Sequence, residues 1–426
     1  MELTSKPAFM EESGKKRVVI AGGGYAGVSL AVRLAKKAKP SDNLDIILLE
    51  PNPCQQSLSE LDLVAVGPPR PEFCELWLPK LFKNLPVTVA YNRVHDVFPE
   101  EHKLIIGPRE GPHEPVHYGR LVLATGAVAF VPPVPGLREH ATTMWSVHDA
   151  KDLQQKIDTQ LRKAAMIADR DARVRTLSVA VIGAGATGIE IVGTLGERLP
   201  KRAVDLGIDP KDLRVRIIEG RPDILYDLAT AQREKAKKRL AKLGVELVTG
   251  SMVEHVDEKA VYLQDGRVID ASVLCFCGGA KADPDAVTWD LPFDPSGRLV
   301  VDQYCKTTVP DIYAVGDVAA FRDPTDNHTL PMLAQFAIFE ARWTADNLLR
   351  EARGEELKPY VPHMHGEFVS VGPGWGVGWV LKMNNILAGF PAIVMKRLTY
   401  VLYWYFAGGI PLAWKRTWEM FALYRQ

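Results

Sequence analysis

Two copies of one glycine-rich pattern constrain the fold of this chain more than any other feature of its sequence. Each copy reads G-x-G-x-x-G, follows a short apolar run and opens a segment with helical spacing. The glycines are Gly22, Gly24 and Gly27 in the first copy and Gly183, Gly185 and Gly188 in the second. In such a loop the first glycine makes the tight turn, the second lets the backbone approach a pyrophosphate, and the third lets helix and strand pack closely. The pattern therefore predicts two strand–turn–helix units that each bind a dinucleotide.

An acidic residue follows a second apolar run after each glycine loop. Glu50 follows the run 45–49, and Glu219 follows the run 214–218. In this arrangement the pyrophosphate lies at the positive end of the helix dipole, and the carboxylate accepts hydrogen bonds from ribose hydroxyls. One glycine loop alone is weak evidence, but two complete units predict an α/β protein with two Rossmann-like domains. Two dinucleotides held by one chain point to electron transfer between them.

Length and charge narrow the class of protein further. The 426 residues are too many for one hydrophobic core and predict two or three domains. Because the formal net charge is zero, the chain has no general attraction to nucleic acid, and we exclude nucleic-acid binding. Residues 1–16 are polar and contain no apolar stretch that could act as an export signal.

The cysteines form none of the spacings that bind zinc or carry a redox-active disulfide. They are Cys54, Cys74, Cys275, Cys277 and Cys305, with no C-x-x-C or C-x4-C among them. No metal site is predicted. Cys275 and Cys277 alternate within 273–277, which has the composition of a buried strand, and we interpret both as core thiols.

Strand ends outside the glycine loops add to the pattern. Thr125 and Gly126 end the apolar run 121–124, and the run 273–279 is its counterpart in the second half. Asp317 ends the run 311–316, where a carboxylate is well placed to accept hydrogen bonds from the ribityl chain of a flavin. Each of these motifs alone could be an ordinary strand end. Their order along the chain is what favours a functional interpretation.

That order of motifs resembles the two-dinucleotide flavoprotein superfamily over roughly residues 15–375. Within it the chain is most similar to the type II NADH dehydrogenases, which are single-chain NADH:quinone oxidoreductases. The segment 185–190 resembles their glycine-loop helix, which carries a glutamate, here Glu190, near the nicotinamide. The segment 333–337, with Ala334 and Gln335, resembles their quinone-site motif A-Q-x-A-x-Q, and 368–378 resembles the strand–turn segment before their membrane helices.

The resemblance implies where the cofactors bind and which residues act. NADH lies on the second glycine loop with Glu219 on its ribose, and FAD lies on the first with Glu50 and Asp317 on its ribose and ribityl groups. Hydride passes from NADH to FAD, and two electrons pass on to a membrane quinone near Ala334 and Gln335, without proton pumping. Because quinone reduction consumes two protons, Glu190 and Glu340 are candidate proton-supplying groups, with an ordinary helix glutamate as the alternative for each.

One departure from the family pattern leaves the electron acceptor open. Phe339 occupies the position of the second glutamine of A-Q-x-A-x-Q, with Glu340 beside it. This leaves room for a different quinone, a rearranged pocket or another acceptor. Three other functions also remain open for the chain as a whole: a soluble NADH-dependent reductase of a small electron carrier, a sulfide:quinone-type oxidoreductase, and a slow membrane-docking NADH-binding sensor. The missing C-x4-C argues against a disulfide reductase.

The carboxyl-terminal region predicts contact with a membrane. Residues 398–414 carry no charge, but the run is shorter than the roughly 20 apolar residues that span a bilayer. Basic and aromatic residues surround it: Lys396, Arg397, Lys415 and Arg416 as flanks, and Trp414, Trp418 and Phe421 at helical spacing. We predict an amphipathic helical anchor on anionic lipid at the cytoplasmic face of the cell membrane. The alternative is a helical hairpin packed on the protein body or on a second subunit of a homodimer.

The predicted domain organisation follows from these motifs. Residues 1–145 form the first part of the FAD-binding domain, and 146–284 form the NADH-binding domain. Residues 285–370 return to the FAD-binding domain, and 371–426 form the membrane-association region.

Overall fold

A computed structural model of the chain describes residues 16–67, 71–282, 289 and 291–424. The polar segment before residue 16 and the predicted domain boundary at 284–285 lie outside the described residues. The helices are α1 (Tyr25–Lys37), α2 (Leu61–Val66), α3 (Leu78–Phe82), α4 (Leu137–His140), α5 (Val147–Ala165), α6 (Arg170–Thr176), α7 (Ala186–Asp205), α8 (Thr230–Lys242), α9 (Ala334–Ala352) and α10 (Phe390–Tyr424). The strands are β1 (Lys16–Ala21), β2 (Leu44–Leu49), β3 (Cys54–Gln56), β4 (Glu75–Trp77), β5 (Thr88–Ala90), β6 (Arg93–Phe98), β7 (Lys103–Gly107), β8 (Glu114–His117), β9 (Arg120–Leu123), β10 (Ala127–Ala129), β11 (Ala141–Thr143), β12 (Ser178–Ile182), β13 (Arg214–Glu219), β14 (Val245–Thr249), β15 (Val253–Val256), β16 (Ala260–Leu263), β17 (Val268–Asp270), β18 (Val273–Phe276), β19 (Ala280–Ala282), β20 (Leu299–Val300), β21 (Ile312–Ala314), β22 (Ala319–Ala320), β23 (Gly366–Ser370), β24 (Gly376–Val380) and β25 (Lys382–Gly389).

The first glycine pattern lies on a parallel sheet with strand order β21-β9-β1-β2-β5. Within it β1 pairs with β2, so that Val18 lies beside Ile46 and Ile20 beside Leu48. The core strands are apolar on both sides because both faces of the sheet are covered, as is usual for parallel sheets. Helices α1 and α9 cover one face, and the antiparallel strands β6, β7 and β8 cover the other.

The second glycine pattern lies on a parallel sheet of the same design, with strand order β11-β18-β12-β13-β14. Helices α5, α7 and α8 cover one face of this sheet. The antiparallel strands β15, β16 and β17 cover the other face. The two sheets therefore repeat one α/β dinucleotide-binding fold, and in each the glycine loop leaves the central strand at its carboxyl end.

The chain crosses between the two sheets on one antiparallel pair of strands. The outer strand of the first sheet, β21, follows the whole second sheet in the sequence, so the second unit is inserted into the first. Strand β10 leads out of the first unit and β19 leads back, and they pair with Ala127 opposite Ala282. Strand β10 follows the segment that contacts Gly22, and β19 follows the segment that contacts Gly183, so the pair connects the two units near their glycine loops.

The carboxyl-terminal region is a three-stranded antiparallel sheet, β23-β24-β25, followed by α10. Helix α10 packs on this sheet and on α1. Gly409 lies within it at φ 73° and ψ −166°, which is a non-helical conformation, so α10 consists of two helical segments joined by a kink. Among the described residues no helix is both long enough and apolar enough to cross a bilayer.

Candidate functional site

The first glycine loop joins β1 to α1 and leaves open space where a phosphate would approach. Gly22 has φ +107°, and a Cβ built on it would lie 2.3 Å from the Ala124 carbonyl oxygen. A Cβ on Gly27 would lie 1.8 Å from the Gly22 carbonyl oxygen, so only glycine lets α1 start this close to the strand. A Cβ on Gly24 would meet nothing within 4 Å, and that open side faces outward from the loop.

The second glycine loop, between β12 and α7, repeats this geometry. Gly183 has φ +100°, and its Cβ would lie 2.7 Å from the Cys277 carbonyl oxygen. A Cβ on Gly188 would lie 1.9 Å from the Gly183 carbonyl oxygen, and one on Gly185 would meet nothing within 4 Å. In both loops the packing of the protein itself requires two of the glycines, whereas the middle glycine borders open space.

The carboxylates predicted to bind ribose are each fixed to their glycine loop by backbone amides. Glu50 Oε2 accepts a hydrogen bond of 2.7 Å from Gly23 N, and its Oε1 accepts one of 2.9 Å from Asn52 N. Glu219 Oε2 accepts 2.9 Å from Ala184 N, and its Oε1 accepts 2.9 Å from Arg221 N. The duplicated geometry fits a dinucleotide on each loop, since the carboxylates stand beside the loops with their oxygens oriented.

Asp317, Thr125 and Gly126 lie at strand ends of the first sheet. Asp317 follows β21 on a short 3₁₀ turn, and burial raises the pKa of its carboxyl. Gly126 has φ +76°, and Thr125 beside it has a buried hydroxyl with no hydrogen-bond partner among the described residues. A buried hydroxyl without a partner costs free energy, so an orphaned group here fits a bound polar ligand such as a flavin.

Glu340 lies on α9 and contacts the turn that carries Asp317. Its Oε2 accepts a 2.7 Å hydrogen bond from Gly316 N, and it is buried. Burial raises the pKa of this carboxyl to about 8. Arg298, which the sequence analysis missed, is also buried here and donates to the Leu330 carbonyl oxygen at 2.9 Å. No local motif marks Arg298, since it is an isolated basic residue before a two-residue strand.

Ala334 and Gln335 lie in the first turn of α9, where this helix meets the carboxyl-terminal region. Gln335 Oε1 accepts a 3.1 Å hydrogen bond from His365 N. One turn further, the Phe339 ring makes edge contacts with the His365 ring, at 5.4 Å between centroids, and with the Phe406 ring of α10, at 6.4 Å. The residue that departs from the family motif is thus half-buried between α9 and α10.

Glu190, on α7, pairs with a residue of α10. Its Oε1 accepts 2.5 Å from Lys396 Nζ and 3.1 Å from Ser370 N, and Lys396 Nζ also donates to Ser370 Oγ at 3.0 Å. Burial acts to lower the pKa of Lys396, but the carboxylates around it, with Glu190 the strongest, hold that pKa above its ordinary value.

A second carboxyl, missed by the sequence analysis, belongs to the same cluster. Asp62 on α2 accepts 2.6 Å from Thr194 Oγ1, and burial, with Glu190 nearby, raises its pKa to about 7. Together with Glu60, Ser370 and Lys396 it lines a small cavity under α10. The three predicted catalytic residues therefore have separate contacts. Glu190 lies against α10 and α2, Gln335 contacts His365, and Glu340 contacts the turn that carries Asp317.

The structure corrects the interpretation of the basic flanks of the carboxyl-terminal run. Lys396 is buried against Glu190, and Arg416 is buried and donates to the Glu72 carbonyl oxygen at 3.0 Å and to the Glu75 carbonyl oxygen. These two cations bind the protein itself, so they do not face outward. Trp414 and Trp418 do face outward, and the Phe421 side chain lies outside the described part of the structure.

Comparison with known proteins identifies relatives of these units. The Arabidopsis thaliana internal alternative NAD(P)H-ubiquinone oxidoreductase A1, mitochondrial, is 33% identical over 245 residues, which are 56% of this chain and 48% of that protein. The chain thus matches about half the length of the plant relative. The type II NADH:quinone oxidoreductase of Staphylococcus epidermidis is 26% identical over 410 residues, 94% of this chain and 98% of that protein.

A solved structure and a family model agree with the fold. NDH2 from Plasmodium falciparum, solved in complex with NADH, superimposes with a TM-score of 0.83 at 15% identity, covering 96% of this chain and 97% of that chain. The family model described as pyridine nucleotide-disulphide oxidoreductase matches residues 16–341, which include both glycine loops, both carboxylates and the start of α9. The chain belongs to the pyridine nucleotide-disulphide oxidoreductase family.

Proposed function

We propose that the protein is a flavin-dependent NADH:quinone oxidoreductase that passes hydride from NADH to FAD and two electrons on to a membrane quinone, without pumping protons. The observation that carries this proposal is the duplicated loop geometry, with Glu50 fixed to Gly23 and Glu219 fixed to Ala184. The plant NAD(P)H-ubiquinone oxidoreductase and the Staphylococcus epidermidis NADH:quinone oxidoreductase both have a quinone in their names, and the second is matched over 98% of its length. Both names support a quinone as the electron acceptor. A flavin on the first loop would supply the hydride acceptor and the electron donor to quinone.

The contribution of the chain to the first half-reaction is to hold and align two cofactors. Glu219 binds the adenine ribose of NADH, and Glu50 binds that of FAD. Toward the flavin, Asp317 supplies a carboxylate that accepts hydrogen bonds, and Thr125 supplies a hydroxyl. Glu340 positions the turn that carries Asp317 by accepting a hydrogen bond from Gly316 N. Alignment of donor and acceptor, with water excluded, is the main catalytic effect open to residues that transfer no proton themselves.

The quinone site is proposed at the first turn of α9. Gln335 Oε1 is engaged by His365 N, so the amide NH₂ is the group left to donate to a quinone carbonyl. The neighbouring Ala334 and Ala337 are small and leave room for a flat ring. A quinone oxygen becomes a stronger acceptor as electrons arrive, so this donor stabilises the reduced form more than the oxidised one.

The protons for quinone reduction are proposed to come from the cluster of Glu190, Lys396 and Asp62. Asp62, with a pKa of about 7, is protonated in about half of the molecules at neutral pH, whereas an ordinary aspartate has lost its proton. Lys396 Nζ donates a 2.5 Å hydrogen bond to Glu190 Oε1, and Lys396 lines the same small cavity as Asp62. For Glu340, the bond to Gly316 N favours the positioning role over proton supply.

We further propose that α10 places the protein on a membrane as a peripheral enzyme at the cytoplasmic face. One row of its large apolar side chains points away from the protein on both sides of the Gly409 kink. The exposed ones, spaced three to five residues apart, are Phe390, Val394, Leu398, Leu402, Tyr405, Ile410, Trp414 and Trp418. Trp414 and Trp418 are 74% and 69% exposed, which water does not favour and a lipid interface does. Because Lys396 and Arg416 bind the protein itself, apolar insertion contributes more than attraction to anionic lipid.

The inner side of α10 is part of the protein core, which affects how the membrane proposal can be tested. Tyr403 is buried, donates 2.5 Å to Gln55 Oε1 and packs edge-on against Tyr25, the first residue of α1. Removing α10 would therefore expose the core and remove Lys396, the partner of Glu190. Substitution of outward side chains tests membrane contact without this damage.

The proposed function is tested by following the flavin in two steps without oxygen. NADH should bleach the flavin rapidly, and a short-chain quinone should restore its colour. Gln335→Ala should slow the second step at least tenfold and leave the first step and the FAD content unchanged. Gln264→Ala, at an exposed turn between β16 and β17, is the matched control and should change neither step.

The same experiment separates the alternatives. Reoxidation by a small iron–sulfur protein but not by quinone would identify a reductase of electron carriers. Bleaching by sulfide would favour a sulfide:quinone-type enzyme, and slow bleaching by NADH would favour a sensor. If Gln335→Ala slows the NADH step instead, the residue belongs to the hydride half-reaction and the proposed quinone site is wrong.

A further inference from the structure

Four basic side chains form a cluster where α1 packs against α9, and we call it the basic cluster. They are Arg33, Lys36 and Lys37 on α1 and Arg342 on α9. One carboxylate, that of Asp346, lies among them, one turn beyond Arg342. Arg33 donates to it with two nitrogens, at 3.0 and 2.7 Å, and Lys37 Nζ lies 3.2 Å from it. Asp346 therefore pairs with two of the four cations.

The other two cations, Lys36 and Arg342, are the excess positive charge of this cluster. Within the described part of the chain, neither forms an ion pair with another residue or donates a hydrogen bond to one. Burial lowers the pKa of Arg342, and the like charge of Arg33 lowers it further, against the opposite effect of Asp346. Burial and the charge of Arg342 likewise lower the pKa of Lys36. Two cations that disfavour each other's charge would be stabilised by a bound anion.

Arg342 connects the basic cluster to the exposed apolar row of α10. Its guanidinium carbon lies 4.0 Å from the centroid of the Phe406 ring. A guanidinium stacked on an aromatic face is held flat, and its N–H groups stay in the plane of the group to donate to an anion. Phe406 follows Tyr405, which is 50% exposed and belongs to the outward row. The N–H groups of Arg342 therefore lie at the border between the basic cluster and the apolar row.

We propose that Arg342 and Lys36 bind the phosphate of an anionic phospholipid headgroup, whose acyl chains lie on the outward row of α10. A phosphodiester offers two oxygens, which suit the paired N–H groups of a guanidinium and an ammonium beside it. A phospholipid joins a phosphate to apolar chains, just as this surface joins a basic cluster to an apolar row. The inference rests on the proposed membrane contact of α10 and names the class of lipid that this contact selects.

The headgroup site should add a preference for anionic lipid to the apolar insertion of α10. Each cation near an anionic membrane surface strengthens binding about fivefold. Lys36 and Arg342 together should therefore contribute at least tenfold. Added salt should reduce this contribution, because mobile ions screen exposed charges, and it should leave apolar insertion in place.

The site is tested by binding the FAD-loaded protein to two kinds of vesicle, phosphatidylcholine alone and an equimolar mixture with phosphatidylglycerol. The wild type should bind the mixture at least tenfold more tightly. The double variant Lys36→Gln/Arg342→Gln should lose this preference and bind phosphatidylcholine as the wild type does. The matched control is Lys235→Gln/Lys238→Gln, at two exposed lysines of α8, and it should keep the preference.

Two single variants separate loss of charge from damage to the fold. Lys36 is exposed on α1, so Lys36→Gln should weaken binding to the mixture about fivefold without lowering the melting temperature. Arg342→Lys keeps the positive charge and should retain most of the preference. If the double variant keeps the preference, or the α8 control loses as much of it, the headgroup site is wrong.

The same measurements distinguish this site from the proposals beside it. Equal binding of the wild type to both vesicles would overturn the headgroup site and leave apolar docking standing. Absence of binding to either vesicle would overturn both, while flavin bleaching by NADH and reoxidation by a short-chain quinone still test the proposed reaction. Release from the mixture by inorganic phosphate, beyond that by chloride at equal ionic strength, would assign the cluster to free phosphate instead. Loss of a dimer in the double variant would assign it to a second copy of the chain.

Discussion

Replacing Glu340 with glutamine is expected to make the protein progressively more stable than the wild type as the pH rises. Glu340 is 2% exposed, and its Oε2 accepts a hydrogen bond from Gly316 N. Burial raises its pKa from 4.5 to about 8, whereas in the unfolded chain the carboxyl returns to its ordinary value. A glutamine keeps the carbonyl oxygen that accepts from Gly316 and never ionises.

The sign and size of the effect follow from proton linkage. Between pH 4.5 and about 8 the folded protein holds a proton on Glu340 that the unfolded chain has lost, so wild-type stability falls as the pH rises through this window. The loss approaches about 1.4 kcal/mol per pH unit, and over the whole window it reaches about 5 kcal/mol as an upper value. For a domain of this size, each kcal/mol shifts the melting temperature by about 2–4 °C.

The assay is thermal unfolding of the FAD-loaded proteins at several pH values between 5 and 9, with Glu351→Gln as the matched control on the same helix. Glu351 accepts 2.8 Å from Arg120 Nε and 3.1 Å from Lys306 Nζ. Burial acts to raise its pKa, but these hydrogen bonds hold it below its ordinary value. Its stabilisation is therefore present above pH 4.5 and lost as the pH falls, so Glu351→Gln should be less stable than the wild type near neutral pH. Parallel pH profiles for Glu340→Gln and the wild type would refute the reasoning.

Three more predictions follow from the proposed sites. Glu219→Ala should narrow the preference for NADH over NADPH severalfold, measured as the ratio of kcat/KM values, because the carboxylate that repels a 2′-phosphate is gone. Lys396→Met leaves its buried carboxylate partner without a counter-charge, so it should lower the melting temperature and slow flavin reoxidation by quinone more than reduction by NADH. The double substitution of Trp414 and Trp418 by alanine should weaken binding to lipid vesicles at least tenfold, whereas Met166→Ala, exposed at the end of α5, should not change it. Unchanged vesicle binding together with loss of a dimer would assign the Trp414 face to a second copy of the chain.

The parts of the fold that could be predicted from the sequence are those specified locally. Each glycine loop and its carboxylate lie in one continuous strand–helix–strand unit, where spacing alone fixes geometry, so Gly22, Glu50, Gly183 and Glu219 could be placed without the structure. The order of the motifs also predicts that the second unit is inserted into the first, and the predicted boundary near residue 284 stays a prediction because it lies outside the described residues.

Contacts between distant segments could not be predicted in the same way. Lys396 was interpreted as a basic flank facing lipid, and this is wrong, because it pairs with Glu190 across 206 positions of sequence. Charge and spacing in the sequence show that a lysine is near an apolar run, but not which carboxylate it will meet. Asp62 was missed for the same reason, since it lies among apolar residues of a short helix and only the fold brings it to Glu190.

The contacts of α10 connect its proposed membrane-facing side with each step of the proposed reaction. Its Tyr403 packs on Tyr25 beside the first glycine loop, its Lys396 pairs with Glu190 on the helix after the second loop, and its Phe406 packs on Phe339 near the proposed quinone site. One side of this helix therefore contacts the helices that follow both glycine loops and the proposed acceptor site, while its other side carries the exposed apolar residues. A helix held on its inner side by buried hydrogen bonds and an ion pair cannot shift at the lipid surface without moving these contacts. If α10 docks on a membrane as proposed, docking would thus fix the position of the proposed quinone site relative to the flavin, because the same helix belongs to the protein core.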